Sequence, residues 1–344
     1  MLSFLASAIA TVTLAASAHA SPSIEAELIL PEGQWVSLSA PTEHIIWLGS
    51  NNGVVALSTD GGQNFELQTP AGASNHPVIR QISAQDDRHA YVLTSGRGEL
   101  SRLYITRNAG FSWRRLYRGN GDEQLRCFAM IPDGEAWILA DTLHDNWHVV
   151  RSSNGTHWIS SRSGFSERPQ HAEQASNDSQ SCARFENDTW LMGTRNAEQA
   201  RMIYKGRNSL RFQVENTPMA AGLNAGIEAV WPYSESEFLL AGGSSERAQL
   251  LHVRRNSDTP FTAVPLPATY SSALKLLLHS GNQVMIGNAE GFHTSEKPIE
   301  NNEWNWQQIG NFGVQALSCY AEEACWALTH GGDQAGQTLV RIQF

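Results

Sequence analysis

An all-β fold built from repeated sheets is what this sequence predicts, and three observations predict it. One short pattern recurs seven times, the runs around it have strand character, and the two chain ends supply complementary parts of one repeat. The pattern reads polar, then aromatic or branched, then two apolar residues, then small or polar. It occurs as His44-Ile-Ile-Trp-Leu-Gly, His89-Ala-Tyr-Val-Leu-Thr, Glu135-Ala-Trp-Ile-Leu-Ala, Asp188-Thr-Trp-Leu-Met-Gly, Glu237-Phe-Leu-Leu-Ala, Gln283-Val-Met-Ile-Gly and Ala324-Cys-Trp-Ala-Leu-Thr. Aligned on Ile46, Tyr91, Trp137, Trp190, Phe238, Val284 and Trp326, the copies are 45, 46, 53, 48, 46 and 42 residues apart. A steady period of this size marks a repeat architecture.

Each copy sits between other short apolar runs. Val78-Ile-Arg-Gln-Ile, Phe128-Ala-Met-Ile, Ile227-Glu-Ala-Val-Trp and Leu274-Lys-Leu-Leu-Leu precede a copy; Val54-Val-Ala-Leu-Ser, Leu103-Tyr-Ile-Thr and Leu250-Leu-His-Val follow one. A fourth run then opens on an aromatic residue, at Phe65, Trp113, Trp158, Phe212, Phe261 and Trp306. Runs of four to six residues divided by turn residues are strands, and no stretch beyond residue 20 sustains a helical period. Four strands per repeat and seven repeats predict a seven-bladed β-propeller. The 324 residues beyond position 20 divide into about 46 per blade.

The ends of the chain predict how the ring closes. After Trp326 there is one more strand, from Thr338 to Phe344, and no fourth. Ile24-Glu-Ala-Glu-Leu-Ile-Leu30 precedes the first complete blade and belongs to none. The N-terminal strand is therefore expected to complete the last blade, which also hides a sheet edge. One domain, residues 21–344, follows from this reading.

Composition narrows the function classes. Among 344 residues, 34 acidic and 24 basic side chains leave a formal charge of −10, which argues against a general phosphate-backbone binder. Only Lys205, Lys275 and Lys297 are lysines, so nearly every cation is a planar, multidentate guanidinium. Residues 2–18 are uncharged and mostly small or apolar, and they lead into Ala18-His19-Ala20, an A-x-A cleavage pattern. A signal peptide over residues 1–20 and a periplasmic or secreted protein are expected. No later segment is long and apolar enough for a membrane helix. Export permits disulfides. Cys319 and Cys325 flank a short polar turn, while Cys127 and Cys182 each precede an apolar segment in successive repeats, so two bonds are expected.

The turn between third and fourth strands carries the most specific motif. Ser58-Thr-Asp60-Gly-Gly62-Gln-Asn-Phe65 fits S-x-D-x-G-x-x-[FW]; Thr106-Arg-Asn108-Ala-Gly110-Phe-Ser-Trp113 fits with Thr and Asn replacing Ser and Asp. Ser152-Ser-Asn154-Gly155-Thr-His-Trp158 is one residue shorter. This motif resembles the Asp-box, or bacterial-neuraminidase repeat, a folding device in which the carboxyl or amide bonds turn amides, Gly takes positive φ and the aromatic packs between sheets. With the second-strand pattern, the boxes make the chain similar to the photosystem II stability and assembly factor family of exported propellers. That resemblance implies a non-enzymatic protein that binds a protein partner and assists assembly or stability of an envelope or membrane complex.

The alternative is a sialidase-like or other glycan-active or glycan-binding propeller. Sialidases carry an Arg-Ile-Pro segment, three arginines and a Tyr-Glu pair, whereas the corresponding strand here is Val78-Ile-Arg80-Gln-Ile. Asp122, Glu123, Asp141, Asp145 and Asp333 are the loop carboxylates available to a glycosidase, which needs two at ~5–9.5 Å. His144 and His148 lack a third ligand or a helix, so neither a metal nor a cofactor is expected. Arg97, Arg118, Arg126, Arg195, Arg201 and Arg247 fall on the face opposite the boxes. Seven of the 21 arginines lie between Arg97 and Arg126, a local cationic concentration suited to carboxylates or an acidic protein segment. A monomer that meets a protein partner and no nucleic acid is the expectation. The polar connection 161–180 reads equally well as a spacer or a contact loop.

Overall fold

The computed structural model describes residues 21–70, 77–131, 134–176, 180–298, 303–331 and 336–344. The expected signal peptide and Asp333 lie outside the described residues. Strands dominate, and one 3₁₀ turn, Gly98–Leu100, is the only helical element among the described residues. They form five four-stranded antiparallel sheets and one nine-stranded sheet. The larger sheet consists of two four-stranded antiparallel runs joined through the single pair Arg195↔Gly226, with the two-residue strand Gln174–Ala175 added against Thr194 and Arg195. The runs are numbered here along the chain. Run 1 spans Trp35 to Gln68, run 2 Val78 to Arg118, run 3 Leu125 to Ser161 and run 4 Ala183 to Asn216; run 5 spans Gly226 to Ala263 and run 6 Leu276 to Gln308. Run 7 begins at Val314, and its strand Thr338–Gln343 pairs with the N-terminal strand Ser23–Ile29.

The recurring pattern became the second strand of every run, from Ile46–Ser50 to Ala324–Thr329. These strands are almost wholly buried because both of their faces meet a neighbouring run. One apolar cluster joins Trp35, Leu38 and Ile46 of run 1 to Trp326, Leu328 and Leu339 of run 7. A second joins Trp47 and Leu57 to Ile82, Val92 and Trp113 of run 2. Further clusters join runs 2 and 3, 3 and 4, and 4 and 5, and one spans runs 5 to 7. First strands likewise touch in sequence, and the strand Val314–Ala321 lies back against Trp35–Ser39. Sheets with two apolar faces need exactly such a neighbour on each side, and burial of this kind stabilises by about 25 cal/mol per Å² of apolar surface.

Second-strand tryptophans add polar ties between runs. The Trp47 indole donates to the Asp86 carbonyl of run 2 at 2.9 Å, and Trp326 donates to the Glu43 carbonyl of run 1 at 3.0 Å. Fourth strands start at or directly after the expected aromatics, as in Glu66–Gln68, Arg114–Arg118 and Phe261–Ala263. Trp113 stands edge-on to Trp47, with ring centres 6.2 Å apart, so the aromatic after the turn is an inter-sheet wedge.

Turns before the first three wedges share one wiring. Ser58 Oγ donates to Asp60 Oδ1 at 2.8 Å and accepts the Gly62 amide at 2.8 Å, while Asp60 Oδ1 accepts the Asn64 amide at 2.9 Å. Thr106, Asn108 and Gly110 repeat this, with Ser112 donating its amide to Asn108 at 3.0 Å. Asn154 takes the amides of Thr156 and His157, both at 3.0 Å, in the shorter turn. Gly110 has φ +80°, and a Cβ there would collide with the Gln68 amide.

Both cysteine pairs are bonded. Cys319 and Cys325 are cross-strand partners within run 7. Cys127–Cys182 ties the first strand of run 3 to the approach to run 4, across the longest polar connection.

Candidate partner-binding rim and axial cavity

Antiparallel order sorts the molecule into two ends. Connections after the second strand and between runs lie at one end; turns after the first and third strands lie at the other. The six arginines singled out by sequence do fall at the first end, but they divide into two kinds. Arg97 and Arg118 share a corner of run 2: Arg97 Nε donates to Asp122 at 2.8 Å, and Arg118 lies 3.3 Å from Glu99. All four side chains are exposed. Arg247 is also exposed, and it opens the third strand of run 5, well away in sequence order from that corner.

Arg126, Arg195 and Arg201 correct the expectation of one accessible patch. Arg126 is nearly buried against Asp141, donating through Nε at 2.9 Å. Arg195 is 5% exposed and faces the fully buried Glu228 at 3.3 Å, which also accepts from Lys275 at 2.8 Å. Arg201 is 3% exposed, donates through Nε to the buried Glu173 at 2.9 Å and stacks on Trp147. A guanidinium placed in this way compensates a buried carboxylate and is not offered to solvent. Sequence spacing put these residues at the right end; only packing shows which of them point inward.

The connection 161–180 also acquires a definite role. Phe165 stacks on Phe212 at 5.4 Å, the Trp147 indole donates to the Glu167 carbonyl at 2.7 Å, and Glu173 meets Arg201. Its described stretch 161–176 is pinned to runs 3 and 4 by apolar contacts, charge and the pairing of Gln174–Ala175 with Arg195 and Thr194.

Each described loop carboxylate has a partner of its own. Asp122 and Asp141 are held by arginines, and Glu123 accepts the Tyr117 hydroxyl at 2.9 Å and lies 3.4 Å from His148. Burial together with the bond to Glu123 raises the Tyr117 pKa. Asp145 is exposed, 4.0 Å from His171. Burial lowers the pKa of His148, and no group of three metal-ligating side chains occurs among the described residues. Tyr233 and Glu237 do share a cavity, and among the described residues Arg254 is the one arginine lining it. Glu237 is already engaged by Lys297 at 2.9 Å and His252 at 2.8 Å, and burial raises the Tyr233 hydroxyl pKa. That arrangement lacks the arginine trio that carboxylate recognition by a sialidase requires.

A feature that sequence did not foresee is an axial cavity of about 450 Å³. It is lined by the C-terminal halves of first strands from all seven runs, so it lies toward the end that carries the third-to-fourth-strand turns. Gln180 spans it: its side-chain oxygen accepts the Leu38 amide at 3.1 Å, and its nitrogen donates to the carbonyls of Leu38 at 3.2 Å and Leu317 at 3.4 Å.

This geometry defines the class: an all-β propeller with no helix long and apolar enough to cross a membrane among the described residues. No protein-family pattern and no curated protein matches the chain. Solved structures match its fold. YCF48 bound to a D1 peptide aligns at TM-score 0.63 and 12% identity, covering 93% of this chain and 96% of that one. YCF48 from Cyanidioschyzon merolae aligns at 0.61 and 13%, covering 93% and 99%. The Neurospora crassa Pan2 WD40 domain aligns at 0.60 and 13%, covering 90% and 89%. The chain therefore has a propeller fold like that of the photosystem II assembly factor YCF48. At these identities the likeness is one of fold.

Proposed function

We propose that this chain is an exported, non-enzymatic seven-bladed propeller that binds a protein partner of the cell envelope and assists assembly or stability of a complex there. In this reading each run is a blade, the strand Ser23–Ile29 completes the last one, and the wired turns before Phe65, Trp113 and Trp158 are Asp-boxes. The N-terminal A-x-A pattern and the two cysteine pairs support export. The fold likeness to a YCF48 captured with a D1 peptide supports a peptide segment as the ligand.

One observation carries the binding site: Arg97 and Arg118 stand together at an exposed corner, held only by the exposed carboxylates Asp122 and Glu99. Exposed ion pairs are worth about 0–1 kcal/mol, so a partner's carboxylates can replace those acids at little cost. Planar guanidiniums then grip them bidentately. Arg247 extends the same rim. Capture by the tagged, exported protein from envelope extracts, with identification of what co-elutes, tests the proposal. A reproducible partner lost at high salt is the expected result. Hydrolysis of a sialoside without a stable partner would favour the glycan-active alternative instead.

A further inference from the structure

The axial cavity holds one charged side chain that its surroundings leave poorly satisfied. Arg184, in the first strand of run 4, lies over the ring of Trp231 with its guanidinium carbon 4.5 Å from the ring centre. Its ion-pair partner is Glu186 at 3.8 Å, too long for a hydrogen bond, and no hydrogen bond reaches its five N–H groups among the described residues. Nε is enclosed by protein, so the Nη end is the part a ligand would meet. The side chain is 22% exposed, so the cost of an unfilled donor falls on the enclosed Nε while the Nη groups open onto the cavity.

Two amide side chains around it are already engaged. Gln180 is engaged with Leu38 and Leu317, and Gln81 brackets Phe128 by accepting its amide at 3.1 Å and donating to its carbonyl at 2.7 Å. His279 stands edge-on to Trp231 at 5.8 Å, and burial lowers its pKa to about 4, so it is neutral at pH 7 and adds no cation. Burial lowers the Arg184 pKa and raises that of Glu186, so their mutual attraction at 3.8 Å does not offset their desolvation. The cavity thus combines the Trp231 ring with a flat donor fork lying on it, and Gln180 among its lining.

We propose that this cavity is a binding site for a small carboxylate, received by the Arg184 fork as it lies on Trp231. A planar carboxylate supplies two acceptors at the spacing of the fork. The volume of about 450 Å³ admits an organic acid of a few carbons. Glu186 opposes the ligand's charge and sets an upper limit on affinity. The site is separate from the exposed arginine rim, which lies at the other end of the molecule, so either proposal can fail without the other.

Titration calorimetry at low ionic strength and pH 7 tests it on the full exported protein, with N-acetylalanine as the acid and N-acetylalaninamide as its uncharged counterpart. The acid is expected to bind at one site, at least about tenfold more tightly than the amide. Arg184→Gln should weaken acid binding at least about tenfold, while Glu186→Gln should strengthen it about two- to fivefold by removing the like charge. Equal binding of acid and amide, no heat from either, or an Arg184→Gln protein that binds as the parent does would overturn the proposal. Glu186 is 42% exposed, so its variant is expected to fold even if the Arg184 variant does not. Affinity unchanged or weakened by Glu186→Gln would then be the contrary result.

Discussion

Runs 1 to 3 and runs 4 to 6 secure similar sheets by different chemistry. In the first group, each third-to-fourth-strand turn is stapled within a few residues, by Ser58 with Asp60, Thr106 with Asn108 and Ser152 with Asn154. In the second group the described parts of those turns keep the aromatic without the Ser/Thr–Asp/Asn staple, with scattered bonds such as Ser257 Oγ to the Arg254 carbonyl at 2.9 Å, and strong polar contacts span long stretches of chain. Arg201 meets Glu173, Lys275 and Arg195 meet Glu228, and Lys297 meets Glu237. Local wiring costs little chain entropy and is repeated; buried ion pairs are individual and depend on both partners being in place. The difference teaches that one architecture tolerates either solution, and it says where damage should be severe and where mild.

The largest effect is expected in the second group. Glu173→Ala should destabilise by about 3–5 kcal/mol, because it leaves Arg201 buried without a counter-charge, while Glu173→Leu combined with Arg201→Met should recover most of that loss. Urea unfolding of the three proteins checks this, and a double variant as unstable as the single one would contradict it. At the border between the groups, replacing Cys127 and Cys182 with Ser opens a link with a sequence separation of 55 residues. Loop entropy puts the cost at about 2–4 kcal/mol, above that of opening the short Cys319–Cys325 link, at about 2 kcal/mol.

Smaller effects belong to the local turns. Ser58→Ala strips a buried hydroxyl from the Gly62 amide and should cost about 1–2 kcal/mol by thermal melting. Asp60 gives the finest test. Hydrogen bonds to Asn64 and Ser58 lower its pKa from 3.8 to about 2. A carboxyl depressed on folding stabilises above its unfolded pKa, and that contribution is lost as pH falls through the folded value. The stability difference between the parent and Asp60→Asn should therefore shrink between about pH 4 and pH 2. A difference that stays constant over that window would mean that the charge of Asp60 plays no part.

The same division explains what could be read from residue order. Strand positions, the aromatic wedges at Trp113 and Trp158 and the wired turns were legible because each is encoded within about ten residues. The pairing of Ser23–Ile29 with Thr338–Gln343 was legible because the repeat left one strand missing at one end and one spare at the other. Arg126, Arg195 and Arg201 were not separable from Arg97 and Arg118, since their acids Asp141, Glu228 and Glu173 come from other strands and connections. Arg184 carried no local signal either: its neighbour Trp231 lies on the next run, and the axial cavity exists only once all the first strands have converged.

The exposed guanidiniums can be tested directly by one experiment. Replacing Arg97, Arg118 and Arg247 together with Ser should change stability by no more than about 0.5 kcal/mol, since surface substitutions seldom do more. Capture of the proposed partner by this variant should fall at least about tenfold relative to the parent, because the proposed charge-assisted contacts are lost. A folded triple variant that captures the partner as well as the parent does would contradict the assignment of the rim as the binding surface.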